Sequence, residues 1–111
     1  MLKEVTTILI YNKLVRDEIP KIIRKSGKKC EYSIITGEKL ILALQDKLVE
    51  EFNEFIDSNG DLEELADILE VVEGLAVHLG SSFEEILAKK EQKQKQRGGF
   101  KQGIFLESVE D

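Results

Sequence analysis

Residues 47–73 read KLVEEFNEFIDSNGDLEELADILEVVE, and the fold turns on this stretch. It holds ten of the 22 acidic residues in about a quarter of the chain. On both sides of Asp57-Ser58-Asn59-Gly60-Asp61 the apolar residues recur at helical spacing, which predicts two helices joined by a tight turn. Ser58-Asn59-Gly60 is a good helix terminator, and Asp61 is a good N-cap with Glu64 three residues later in a capping-box position. A spacing of three places Glu51 and Glu54 on nearly one face of the first helix. Glu64 and Asp67 stand the same way on the second. Folded back antiparallel, the two helices would aim four carboxylates at one point, as all-oxygen sites for hard divalent cations do.

A helical wheel at about 100° per residue separates these acids from ordinary solvated ones. Glu51 lies between Leu40, Leu44, Leu48 and Phe55; Glu64 lies between Val71, Leu75, Ile68 and Val72. Glu54 and Asp67 sit at the same offset from their partners, about 60° to one side. Glu50 falls at the rim, and Glu63, Glu70 and Glu73 fall on the far side. An ionised carboxylate in an apolar stripe costs several kcal/mol unless it is paired or metal-bound. Lys47, one turn before Glu51, is the competing explanation: it can pair with these acids and leave no work for a metal.

Outward from this hairpin, the first long helix is expected over Glu38 to Asp57 and the second from Leu62 to about Leu79, ending at Gly80. Ser81 or Ser82 can cap a third helix, Phe83 to about Gln96. A shorter helical run lies between Leu14 and Lys25, beginning at or interrupted by Pro20. Residues 5–10 are expected as a short strand or extended lead-in, and residues 30–36 and 103–108 as short strands that pair with each other. The expected class is therefore all-α, a single domain over residues 1–111, with short extended terminal segments.

Composition narrows the function. The net charge of −6 argues against binding a nucleic-acid polymer, because facing phosphates rewards an excess of Lys and Arg. The charge is also uneven, acids dominating residues 50–73 and bases dominating 13–29 and 89–101. Such a split suits an anionic ligand bridged to an acidic site by a cation. The single Cys30 leaves no internal disulfide and no multi-cysteine zinc site. The N-terminus lacks a cleavable signal pattern and no apolar run is long enough to span a bilayer, so a cytoplasmic location without a membrane partner is expected. His78, the only histidine, lies about 16 Å along the helix from Asp67, so the Glu-x-x-His pairs of di-iron bundles are missing.

The order Glu50-Glu51-x-x-Glu54, a short connection, then Glu64-x-x-Asp67 resembles the signature of the MazG-like all-α nucleoside triphosphate pyrophosphohydrolases. Asn12-Lys13-Leu14-Val15-Arg16-Asp17 with Ile19-Pro20, and Lys95-Gln96-Arg97-Gly98-Gly99-Phe100, resemble a phosphoribosyl-ATP-pyrophosphohydrolase-like subgroup. Only nine residues separate Glu54 from Glu64, fewer than in many members of that superfamily. The resemblance implies that Glu51, Glu54, Glu64 and Asp67 bind Mg²⁺, with Mn²⁺ as a substitute. It makes Glu50 and Glu51 the catalytic acids, Glu50 as a further ligand, a supporting group or the base that orients water. It implies cleavage between the α and β phosphates of a nucleotide, giving a monophosphate and pyrophosphate. Lys13, Arg16, Lys93 and Arg97 would meet substrate phosphates. It also implies a four-helix core assembled between subunits of a homodimer or homotetramer. The competing class is a non-catalytic helical interaction module whose acids meet a basic partner or solubilise the bundle.

Overall fold

A computed structural model describes residues 6–111. Its elements run α1 (Ile19–Lys25), α2 (Gly37–Asp57), α3 (Leu62–His78) and α4 (Phe83–Arg97). Pro20 lies in the first turn of α1, where its fixed φ suits a helix and its missing N–H would have had no partner. The boundaries expected for the three longer helices hold to within a residue.

The turn between α2 and α3 is built by local chemistry. The Ser58 hydroxyl donates to the Phe55 carbonyl at 2.7 Å and accepts from the Asp61 N–H at 3.1 Å. Asn59 and Gly60 then take φ of 59° and 89°, the left-handed region that Asn and Gly tolerate. Asp61 caps α3 as expected, but its carboxylate accepts from the Glu63 N–H at 2.9 Å. The Glu64 N–H goes instead to the Asp61 backbone carbonyl at 3.2 Å. Glu64 does not close a capping box, because its carboxylate lies with Glu51 and Asp67.

At the other end of α3 the Ser81 N–H donates to Ala76 and the Gly80 N–H to Val77, with Gly80 at φ 83°. That is the double closure of a Schellman stop. Ser82 then caps α4 by accepting from the Glu85 N–H at 3.1 Å. These closures fold α3 back along α2 and direct α4 away from it.

Two expectations need correction. Among the described residues no strand forms: residues 30–36 and 103–108 are irregular, and of the two alternatives for residues 5–10 the strand is not formed over 6–10, while residue 5 lies outside the described range. A strand needs a neighbouring ladder to satisfy its backbone, and no backbone hydrogen bond joins residues 103–108 to 30–36. The 30–36 segment is held by other means. Arg24 stacks on the Tyr32 ring at 5.1 Å, and the Cys30 thiol donates to the Pro20 carbonyl at 3.8 Å. Cys30 and Tyr32 tie this connector to α1, while Ile34 is exposed.

The core sits between α2 and α3 and is small: Leu44, Val71 and Ala76 are its buried apolar residues. Gly74 allows the close approach, since a Cβ there would lie 3.3 Å from a Leu44 methyl. α4 packs on α3 but not on α2, and every residue of α4 beyond Ile86 is exposed. The radius of gyration is 19.9 Å and the extents are 79 × 33 × 26 Å. A compact chain of this length would have a radius near about 13 Å. No described helix is long and apolar enough to cross a membrane.

Candidate functional site

The acids of the hairpin gather where α2 and α3 face each other near their connecting turn. Glu50, Glu51 and Glu54 each offer an oxygen within 4.8 Å of the others, and so do Glu51, Glu64 and Asp67. The two sets share Glu51, which is the one buried charged residue among those described, at 7% exposure. Glu64 and Asp67 are half-buried. Glu54 departs from its expected inward place: it is exposed, at the open edge of the cluster. Glu54 lies about 60° round α2 from Glu51, which puts it at the margin of the buried face and not at its centre.

Lys47 pairs with both neighbouring acids, 3.3 Å from Glu50 and 3.3 Å from Glu51. The competing explanation for these acids is thus partly present, but it is incomplete. Lys47 reaches Oε1 of Glu51, and the buried Oε2 has no hydrogen-bond partner among the described residues. Oε2 of Glu64 is buried and unpartnered in the same way. Two inward carboxylate oxygens without a donor are costly. They are also hard, anionic donors of the kind Mg²⁺ prefers, so the residues present fit that ion.

The N-terminal segment crosses the mouth of this cluster. Asn12 turns the chain at φ 45°, and the next residues span both helices. Lys13 donates to Glu50 of α2 at 2.9 Å, and Arg16 donates to Asp67 of α3 at 2.7 Å, with Glu70 4.0 Å away. Leu14 and Ile19, both half-buried, anchor this strap on either side of Arg16. Beneath it lies a cleft of about 240 Å³ lined by Lys13, Val15, Arg16, Ile19, Lys47, Glu51 and Asp67. The apolar wall of Val15 and Ile19 was not singled out from sequence as part of a site. Its only signal was proximity to Lys13 and Arg16.

Lys93 and Arg97 are placed elsewhere. With Gly98, Gly99 and Phe100 they line a second pocket of about 420 Å³ at the C-terminal end of α4. The two pockets share no residue, so within one chain the structure gathers Glu50, Glu51, Glu54, Glu64, Asp67, Lys13 and Arg16 but not the basic end of α4. His78 is exposed at the last turn of α3 and belongs to neither.

The electrostatics follow the geometry. Burial pushes the Glu51 carboxyl above its ordinary value of 4.5, with Lys47 opposing the shift and Glu54 adding to it. Glu64 is raised as well, by burial first and then by the charges of Asp67, Glu51 and Asp61. Glu50 moves the other way, lowered chiefly by its hydrogen bond from Lys13, whose own pKa is raised by the same bond. Raised folded-state values mean that Glu51 and Glu64 hold protons in the folded chain at pH values where the unfolded chain has lost them. Stability in metal-free buffer is therefore expected to rise as pH falls from neutrality towards 4.5. Below 4.5 the Glu50 contribution is lost as that group protonates, and stability falls again. Urea midpoints across this range would check it; a profile that only declines on acidification would contradict the reading of two strained inner carboxylates.

Compared with known proteins, this chain matches no family model, no curated protein and no solved structure.

Proposed function

We propose that the chain is a Mg²⁺-dependent nucleotide pyrophosphohydrolase of the MazG-like kind, cleaving between the α and β phosphates to release pyrophosphate. The observation that carries this reading is the pair of buried, unpartnered oxygens on Glu51 and Glu64, facing each other across the hairpin. Neither packing nor ion pairing accounts for both. The resemblance of residues 12–20, 50–67 and 95–100 to that superfamily supplies the reaction.

In this reading Glu51, Glu54, Glu64 and Asp67 hold the ion. Mg²⁺ bound there would neutralise phosphate oxygens and acidify a coordinated water. The protein's own groups do the remainder. Glu50, kept ionised by Lys13 and Lys47, accepts a hydrogen bond from the attacking water and orients it. Glu51, buried and short of donors, is the second catalytic carboxylate and fixes the ion's position at the floor of the cleft. Lys13 and Arg16 stand at its mouth, where an incoming polyphosphate arrives. Val15 and Ile19 give the cleft an apolar side against which a sugar or base can lie.

The test is a panel of canonical and modified nucleoside triphosphates and phosphoribosyl-ATP, incubated with Mg²⁺ and read by pyrophosphate release. At least one is expected to yield monophosphate and pyrophosphate in equal amounts, and chelation should stop the reaction. Release of inorganic phosphate alone would overturn the assigned bond. No turnover, with no effect of Mg²⁺ on the protein's stability, would favour the interaction module.

A further inference from the structure

Two acids of the proposed site, the ligand Asp67 and the water-orienting Glu50, are already held by cations of the N-terminal strap. Arg16 holds Asp67 at 2.7 Å and approaches Glu70 at 4.0 Å, while Lys13 holds Glu50 at 2.9 Å. The inner acids are different, since Glu51 keeps one free oxygen and Glu64 another. The cluster is thus divided into a floor with unpartnered oxygens and a rim closed by a strap that joins α2 to α3. A divalent cation seated on the floor would lie close to Asp67 and to the Arg16 guanidinium. Two cations on one carboxylate repel, and an exposed ion pair contributes little to resist their separation.

Resting on the metal reading above, we propose that Arg16 is a handover group. It neutralises Asp67 while no divalent cation is bound, is displaced when one binds, and is then recruited by a phosphate of the incoming polyanion, with Lys13 following the same course from Glu50. The anchors allow this movement. Leu14 and Ile19 keep the strap docked, and both basic side chains are long and about half exposed, 41% for Lys13 and 54% for Arg16. The planar fork of arginine, which here holds Asp67 through one nitrogen and leaves the other 4.0 Å from Glu70, matches two phosphate oxygens of one group. Cation and polyphosphate therefore bind with positive coupling, each removing the partner that would oppose the other. The arrangement also keeps the acidic cleft from collecting a cation and holding it tightly without substrate.

The handover predicts effects of opposite sign. Arg16→Ala in the full chain should bind Mn²⁺, followed by the resonance of the free ion, about two- to fivefold more tightly than the wild type. In the wild type, Mn²⁺ alone should speed trypsin cleavage after Lys13 and Arg16, because their side chains leave the carboxylates that hold them and become free to enter the protease. Adding inorganic pyrophosphate with Mn²⁺ should slow that cleavage again. A variant that binds Mn²⁺ equally or more weakly would overturn the proposal, as would Mn²⁺ alone protecting the strap. The protease experiment needs only wild-type protein, so it decides the matter even if Arg16→Ala fails to fold. Absence of any Mn²⁺ binding by the wild type would instead remove the metal reading itself, and the handover with it.

Discussion

Replacing Glu51 and Glu64 together by glutamine is expected to abolish the rise in melting temperature that Mg²⁺ gives the wild type, and to reduce pyrophosphate release at least about a thousandfold. The first effect follows from linkage. An ion present at a hundred times its dissociation constant stabilises the folded state by about 2.7 kcal/mol. In a domain of this size that corresponds to a shift on the order of 10 °C. Glutamine keeps the shape and one oxygen of each side chain but removes the charge that holds a divalent cation. The second effect follows because charge neutralisation by a metal supplies several kcal/mol of transition-state stabilisation, each 1.4 kcal/mol or so being a factor of ten in rate. A third effect separates a metal site from a structural acid pair. Glu51 and Glu64 are strained in the metal-free protein, as their raised pKa values and unpartnered oxygens indicate. The double variant should therefore match or exceed the wild type in urea resistance when no metal is present, and should lose the stabilisation expected on mild acidification. A variant that is less stable in metal-free buffer and still responds to Mg²⁺ would sink the assignment.

The hairpin was legible from sequence because its signals are local and agree. Helical periodicity, the Asn59-Gly60 reversal and the Asp61 cap all act within a few residues, and the helix bounds follow from them. The inward place of Glu51 was legible for the same reason, as a phase on one helix. Glu54 stands about 60° round the helix from Glu51 and is exposed, because burial falls off away from the centre of the face that α3 covers. The strap shows the opposite case. Lys13 and Arg16 were marked as candidates, but their pairing with Glu50 and Asp67 joins residues 37 and 51 positions apart. No local pattern encodes such a distance. Residues 30–36 and 103–108 misled because a short apolar run forms a strand only where a partner ladder exists. Cys30 and Tyr32 found α1 instead.

Changing Val49 and Ile56 together to aspartate is expected to convert a dimer into a monomer of 12.6 kDa and to lower the melting temperature steeply. The case rests on what the hairpin leaves uncovered. Leu42, Val49, Phe52 and Ile56 form a stripe on the side of α2 away from Glu51, and each is more than half exposed. Leu69 and Val77 do the same on α3 at 53% and 55%. Against this, the buried apolar core of the described residues is Leu44, Val71 and Ala76, too little to offset the conformational entropy of so long a chain. Apolar stripes on the outer sides of two antiparallel helices are what a four-helix bundle covers when a second hairpin packs against the first. The elongated shape agrees, since residues 6–11, α4 beyond Ile86 and residues 98–111 are all exposed and leave these stripes uncovered. The wild type should therefore scatter light as twice or four times the chain mass at micromolar concentration, with a melting temperature that rises with protein concentration. Two charges set into the stripe would be desolvated on association, which disfavours assembly far more than it disturbs the exposed surface of one chain. All four proposed metal ligands come from a single hairpin, so any folded monomer should still bind Mn²⁺, and loss of turnover would then be traced to assembly. A wild type that is monomeric, with a melting temperature independent of concentration, would contradict this account of the exposed apolar stripe.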